Sequence, residues 1–220
     1  MMGNEWNDMN NINICKLTPE RLDDYLYFFE NIAHTDNKEW DRCYCVNFCS
    51  DNNLGIAELL RDPEVRRTYA IKYVNENIIQ GYLAYYDGQV IGWCNTNDKK
   101  DCLGCFGWQI ISGKTKAIEE SIRVKSVFCF TVAPSMRGKH VATALLERVI
   151  QDATKEGYDY IESYPNKTES DMYYNFVGPI GLYKKFGFVQ FGETENRLVF
   201  RKKLYVKDTD KNLVKLEKRN

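Results

Sequence analysis

Seven consecutive residues carry the most specific chemistry in this chain: Arg137, Gly138, Lys139, His140, Val141, Ala142 and Thr143. They follow Val127 to Val132, an apolar run rich in β-branched and aromatic residues that stops at Pro134, which has no amide to give to a ladder. Beyond them, Ala142, Leu145, Leu146, Val149 and Ala153 fall on one face of a helix, and Gly157 stands where that helix should end. A strand that enters a helix through a basic, glycine-containing turn gathers unpaired main-chain N–H groups, the positive end of a helix dipole and cationic side chains at one point. That is phosphate-binding chemistry.

The spacing resembles the signature of the GNAT superfamily, the acyl-CoA-dependent N-acetyltransferases, which reads Gln/Arg-x-x-Gly-x-Gly/Ala. Arg137, Gly138, Lys139, Val141 and Ala142 fit it, with Val132-x-Pro134 before them. His140 stands where the family usually has glycine, and histidine tolerates positive φ better than most other residues. Gly181-Leu182-Tyr183-Lys184-Lys185-Phe186-Gly187-Phe188 resembles the family's second signature, Leu-Tyr-x-x-x-Gly-Phe. Physically it is a short helix stopped by Gly187, with Phe188 folding back as an apolar clamp.

The resemblance spans residues 12–204 and implies a single α/β domain: a twisted mixed sheet of about seven strands with helices on both faces. Two central parallel strands, near 125–132 and 158–164, would splay apart, and the pantetheine arm of acetyl-CoA, the implied co-substrate, would lie between them. The turn at 137–143 would hold the pyrophosphate. Phe130, Thr131 and Val132 would pair their backbone with the pantetheine amides as an added strand does, with an N–H close to the oxyanion. Tyr183, matching the family's tyrosine near the sulfur, would give its proton to the departing thiolate; a core aromatic is the alternative.

The general base is left open. Glu162 alternates with Tyr160 and Tyr164 on the strand bordering the cleft, where burial would raise its pKa to a useful value. A structural hydrogen bond is the competing reading. Glu119, Glu120 and Asp171 are further carboxylates. There are two histidines, and with one in the phosphate turn and His34 at a helix end, a histidine base is set aside.

The elements that must position these groups are legible in order. Met1 to Asn11 is Asn-rich and reads as disordered, and Ile12 to Leu17 is a strand. Thr18-Pro19-Glu20 opens a helix, and Asp62-Pro63-Glu64 opens another running to about Gln80. Asp87-Gly88 joins two alternating strands in a hairpin. Tyr158 to Tyr164 is a strand ended by Pro165; Lys167 to Asn175 is an inserted loop. Phe188–Gly192 and Arg197–Leu204 form a closing pair, and 205–220 is a charged tail.

Composition bounds the rest. With 220 residues, 44% hydrophobic and 28% charged, the chain can bury one sizeable core. A net charge of −1 and a pI near 6.2 argue against nucleic acid as a partner. There is no long apolar run and no export signal, so a cytoplasmic protein without a membrane partner is expected. Its eight cysteines then read as free thiols. Cys43-x-Cys45-x3-Cys49 and Cys102-x-x-Cys105 match no well-known zinc spacing, so no metal is assigned. Arg66-Arg67 and Lys99-Lys100 read as solvated surface pairs. Loops 35–61, 95–123 and 166–178 should line the acceptor pocket, where Trp40, Tyr44, Glu119, Asp171, Tyr173 and Tyr174 suggest a small cationic amine or a peptide N-terminus. A homodimer is left open. The competing function is a non-catalytic acyl-CoA sensor or docking module on the same fold.

Overall fold

The computed structural model describes residues 11–48, 61–105, 107–108, 121–168 and 175–205. The expected tails, Cys49, Glu119, Glu120, Asp171, Tyr173 and Tyr174 lie outside these residues.

Strand β1 (Asn13–Lys16) leads through a short 3-10 turn at Pro19–Arg21 into α1 (Leu22–Asn31). Helix α2 (Pro63–Asn75) precedes the hairpin β2 (Gly81–Tyr86) and β3 (Gln89–Asp98), and α3 (Lys99–Cys102) is a single turn. Then come β4 (Val124–Val132), α4 (Val141–Lys155), β5 (Tyr160–Ser163), α5 (Ile180–Lys185), β6 (Val189–Glu193) and β7 (Leu198–Lys203). The seven described strands form one sheet in the order β1-β2-β3-β4-β5-β7-β6. Only β4 and β5 run parallel; the other neighbours are antiparallel.

Local chemistry accounts for the boundaries. Asp62 caps α2, its side chain accepting from the Glu64 N–H at 2.8 Å, and α2 ends at Asn75, short of the expected Gln80. Thr18 does not cap as expected: its hydroxyl accepts from Arg21 Nη1 at 3.1 Å instead. Asp87 and Gly88 both take positive φ, 48° and 75°, as a tight hairpin turn of this kind demands. Gly187 takes φ 77°, and the Phe188 N–H reaches back to the Tyr183 carbonyl at 3.1 Å. The Phe188 ring then meets Tyr183 edge-on at 5.3 Å, the clamp read from the sequence.

One face of the sheet buries α1 and α2 through Tyr25, Phe28, Phe29 and Tyr73 around Trp93. The other buries α4 through Val141, Leu145, Leu146 and Val149. The register between β3 and β4 shifts: Asn95 faces Cys129 while Thr96 faces Val127, so Phe128 has no partner. This extra residue is a β-bulge, and it puts the neighbouring side chains Phe128 and Cys129 into the same core, with Val127 and Phe130 in the other. Pairing with β5 stops at Val127, immediately before the bulge. The two parallel strands therefore part where β4 changes phase.

Candidate functional site

The turn after β4 leaves several main-chain amides outside the helix ladder. Gly138 has φ 75° with open space where a Cβ would project, and His140 takes φ 61° directly before α4. Helical bonding begins with the Ala144 N–H on the His140 carbonyl at 3.0 Å, so the amides of Val141, Ala142 and Thr143 precede the helix's own ladder. A histidine at positive φ thus replaces the usual glycine without breaking the turn. Lys139 and His140 are exposed beside it. Arg137 turns elsewhere: its guanidinium grips Asp36 with both terminal nitrogens, Nη2 at 3.2 Å.

The three β4 candidates divide. The Ala133 N–H bonds to the Ile91 carbonyl at 2.9 Å, and bonded positions alternate in an antiparallel pair, so Thr131 spends its main chain on Trp93 within the sheet. Thr131 is corrected to a wall residue, offering its side chain only. Phe130 and Val132 point their backbone into the gap. The Phe130 N–H is already taken, by the Phe176 carbonyl at 2.6 Å.

Tyr183 is fully buried beside this gap, and its hydroxyl donates to the Val177 carbonyl. Burial drives its pKa well above the ordinary phenol value. A Cβ on Gly178 would lie 3.3 Å from that hydroxyl and from the Phe130 ring, so the 176–178 segment packs against both groups. The buried hydroxyl of Ser163, the last residue of β5, lies beside the Tyr183 phenol. The open amide turn at the end of the gap is a feature that fits a pantetheine diphosphate.

Glu162 sits differently from expectation. Lys99 Nζ binds its Oε1 at 2.8 Å, Arg201 binds its Oε2 through Nε at 2.8 Å and Nη2 at 2.7 Å, and the Tyr164 hydroxyl donates to Oε1 at 3.1 Å. It is buried behind Tyr164 and Trp108 and does not line the cavity described below. Lys99, read as solvated, is half of this buried network and lies 5.5 Å from the Trp108 ring centre. A base here would have to give up two ion pairs, so the geometry favours the structural reading of Glu162.

A cleft of about 350 Å³ opens beside the end of β4. Phe130, Thr131, Val132 and Arg137 form one wall; His34, Trp40, Cys43, Cys45 and Phe48 form the facing one, with Phe176 and Arg197 at its side. No carboxylate stands among the described lining residues. Tyr44 is buried behind the wall, its hydroxyl donating to Glu30 at 3.0 Å. Arg42, Tyr44 and Cys45 all hold positive φ, 49°, 48° and 49°, which is costly for non-glycine residues and clusters at functional sites. Arg66 holds that loop by donating to the Arg42 and Asp41 carbonyls at 2.8 and 2.9 Å, and Arg67 binds Glu30. Neither arginine is the idle surface charge read from sequence.

That bent loop brings Cys43 Sγ within 3.5 Å of His34 Nε2, a pair the sequence reading missed. Nothing short of the loop's path could have revealed it. A hydrogen bond from Cys45, reinforced by His34, holds the Cys43 thiol well below the ordinary thiol range, against the opposing pull of burial. The sign is that of a thiolate persisting as pH falls. Iodoacetamide is therefore expected to label Cys43 first, and its labelling to fall off at lower pH than that of the other thiols. Peptide mapping by mass checks this; preferential labelling of any other cysteine contradicts it. The cysteines among the described residues are free thiols, and these residues contain no group of three His, Cys, Asp or Glu placed to hold a metal. No helix among them is long and apolar enough to cross a membrane.

Comparison with known proteins matches residues 54–188 to the family model described as "Acetyltransferase (GNAT) family". The fold is similar to that of an N-acetyltransferase from Staphylococcus aureus Mu50, at TM-score 0.50 and 16% identity, covering 89% of this chain and 99% of that one. It is similar also to a ribosomal-protein-alanine N-acetyltransferase from Brucella melitensis, at TM-score 0.50 and 17% identity, covering 87% and 99%. No curated protein sequence matches significantly.

Proposed function

The chain belongs to the GNAT acetyltransferase family, and from that premise we propose that it passes the acetyl group of acetyl-CoA directly to a primary amine. The observation that carries this reading is the cleft shared by the open end of β4 and the His34–Cys43 pair. Acetyl-CoA supplies the thioester carbonyl; the chain supplies everything around it. The amides of residues 138 and 141–143 cradle the diphosphate, and the outward-facing backbone of Val132 pairs with the pantetheine arm. The Phe130 N–H, once the Phe176 carbonyl yields it, meets the oxyanion. Tyr183 gives its proton to the leaving thiolate. An alkyl amine is mostly protonated at neutral pH and must lose a proton before it attacks. A reducing cytoplasm suits the free thiols.

One observation favours the alternative of a non-catalytic sensor: both donors, Phe130 N–H and Tyr183 O–H, are already engaged by the 176–178 segment. A single experiment separates the two. The protein is incubated with acetyl-CoA and a panel of amines while thiol release is followed, beside a titration of acetyl-CoA binding. Release that depends on the amine supports transfer; binding with no release for any amine supports the sensor.

A further inference from the structure

Arg197 is a buried cation with no acidic partner among the described residues. It is buried, 9% exposed, and lines the cleft at the side of Phe176, with its guanidinium 5.4 Å from that ring's centre. Among the described residues its head group makes one polar contact, Nη1 to the Tyr164 carbonyl at 3.4 Å, and no acidic side chain pairs with it. Its neighbour in the sheet, Arg201, is satisfied by Glu162 in the ordinary way. Burial without an opposing charge pulls the Arg197 pKa down from the usual guanidinium value. A guanidinium keeps its charge even so, and a planar fork with free donors matches a carboxylate with two parallel hydrogen bonds. Around it the wall is aromatic: Trp40 and Phe48 stand 6.1 and 6.2 Å from Phe176, ring centre to ring centre.

We infer that Arg197 binds a carboxylate carried by the acceptor, and that the acceptor is a free amino acid with an apolar or aromatic side chain. The inference rests on the transferase reading for the fate of the amine, and on the cleft alone for the carboxylate. An apolar body fits between Trp40, Phe48 and Phe176, the carboxylate meets Arg197, and the amine is left between His34 and the end of β4. A polycationic amine would meet two arginines, Arg137 and Arg197, in this cleft and no carboxylate among its described lining residues. Phosphate is the poorer match, because a dianion would face one unshared guanidinium in a largely aromatic wall.

The test uses the full chain and saturating acetyl-CoA. Phenylalanine, leucine and methionine are compared with phenethylamine, isoamylamine and the three amino acid amides, by thiol release and by calorimetric binding. The carboxylates are expected to show kcat/KM about 10⁴-fold above their decarboxylated partners, the lower end of the discrimination shown by a site whose buried polar group is left unpaired. Arg197→Gln should erase that preference by lowering kcat/KM for the amino acids toward that of the amines, and Arg197→Lys should retain part of it. Melting curves confirm that both variants fold. Equal use of amines and amino acids, a preference that survives Arg197→Gln, or an equal loss of acetyl-CoA binding would overturn the inference. If no amine is acetylated yet amino acids bind in an Arg197-dependent way, the carboxylate site stands and the transferase reading fails. If they neither react nor bind, the carboxylate site fails.

Discussion

Tyr183→Phe is expected to lower kcat by about 10²–10⁴-fold, the range a positioned proton donor contributes, while acetyl-CoA affinity stays close to that of the parent. The substitution removes one oxygen from a fully buried ring and keeps its packing against Phe188. What it leaves behind is the Val177 carbonyl without its donor, a cost of about 1–3 kcal/mol in stability. Rates must therefore be normalised to folded protein. The raised phenol pKa adds a pH signature with a defined sign. An acid whose pKa is raised stays protonated to higher pH, so the Tyr183-dependent rate should not decline as pH rises toward 10, the ordinary phenol value. Stopped-flow thiol release across pH measures both effects, and a rate unchanged in the phenylalanine variant would refute the assignment.

The second large effect falls on stability. Glu162→Ala strands Lys99 and Arg201 in the protein interior and is expected to cost about 3–5 kcal/mol of folding free energy. Glu162→Gln keeps an acceptor for one of them and should cost less. In the glutamine variant turnover per folded molecule should remain near the parent value, because the side chain lies outside the cleft. Denaturant melts beside initial rates decide the matter. A stable glutamine variant with a collapsed rate would restore Glu162 as the base.

The parts of the fold legible in the sequence are those written locally. The Asp87-Gly88 turn, the Gly187 stop with its Phe188 clamp and the turn at 137–143 each need only a few adjacent residues and their φ preferences. The sheet of seven strands with helices on both faces followed from these and the family resemblance. The cleft wall is another matter. His34 and Cys43 meet because Arg42, Tyr44 and Cys45 adopt positive φ, which none of those residue types announces. Glu162 pairs with Lys99 at a separation of 63 positions, so a lysine beside another lysine looked solvated when it was the partner of a buried acid. Arg197 likewise gains its meaning only from the rings that the fold gathers around it.

The unmatched Phe128 has a consequence for how β4 can evolve. A strand is a two-stroke pattern, and one inserted beat gives its two halves opposite parity. Upstream of the insertion, substitutions obey the bookkeeping of an ordinary interior strand; downstream, each position answers to the opposite face. Deleting Phe128 should bring Cys129 and everything after it back into step, letting β4 and β5 zip onward beyond Val127. The result would be a tidier sheet with no mouth between its two central strands.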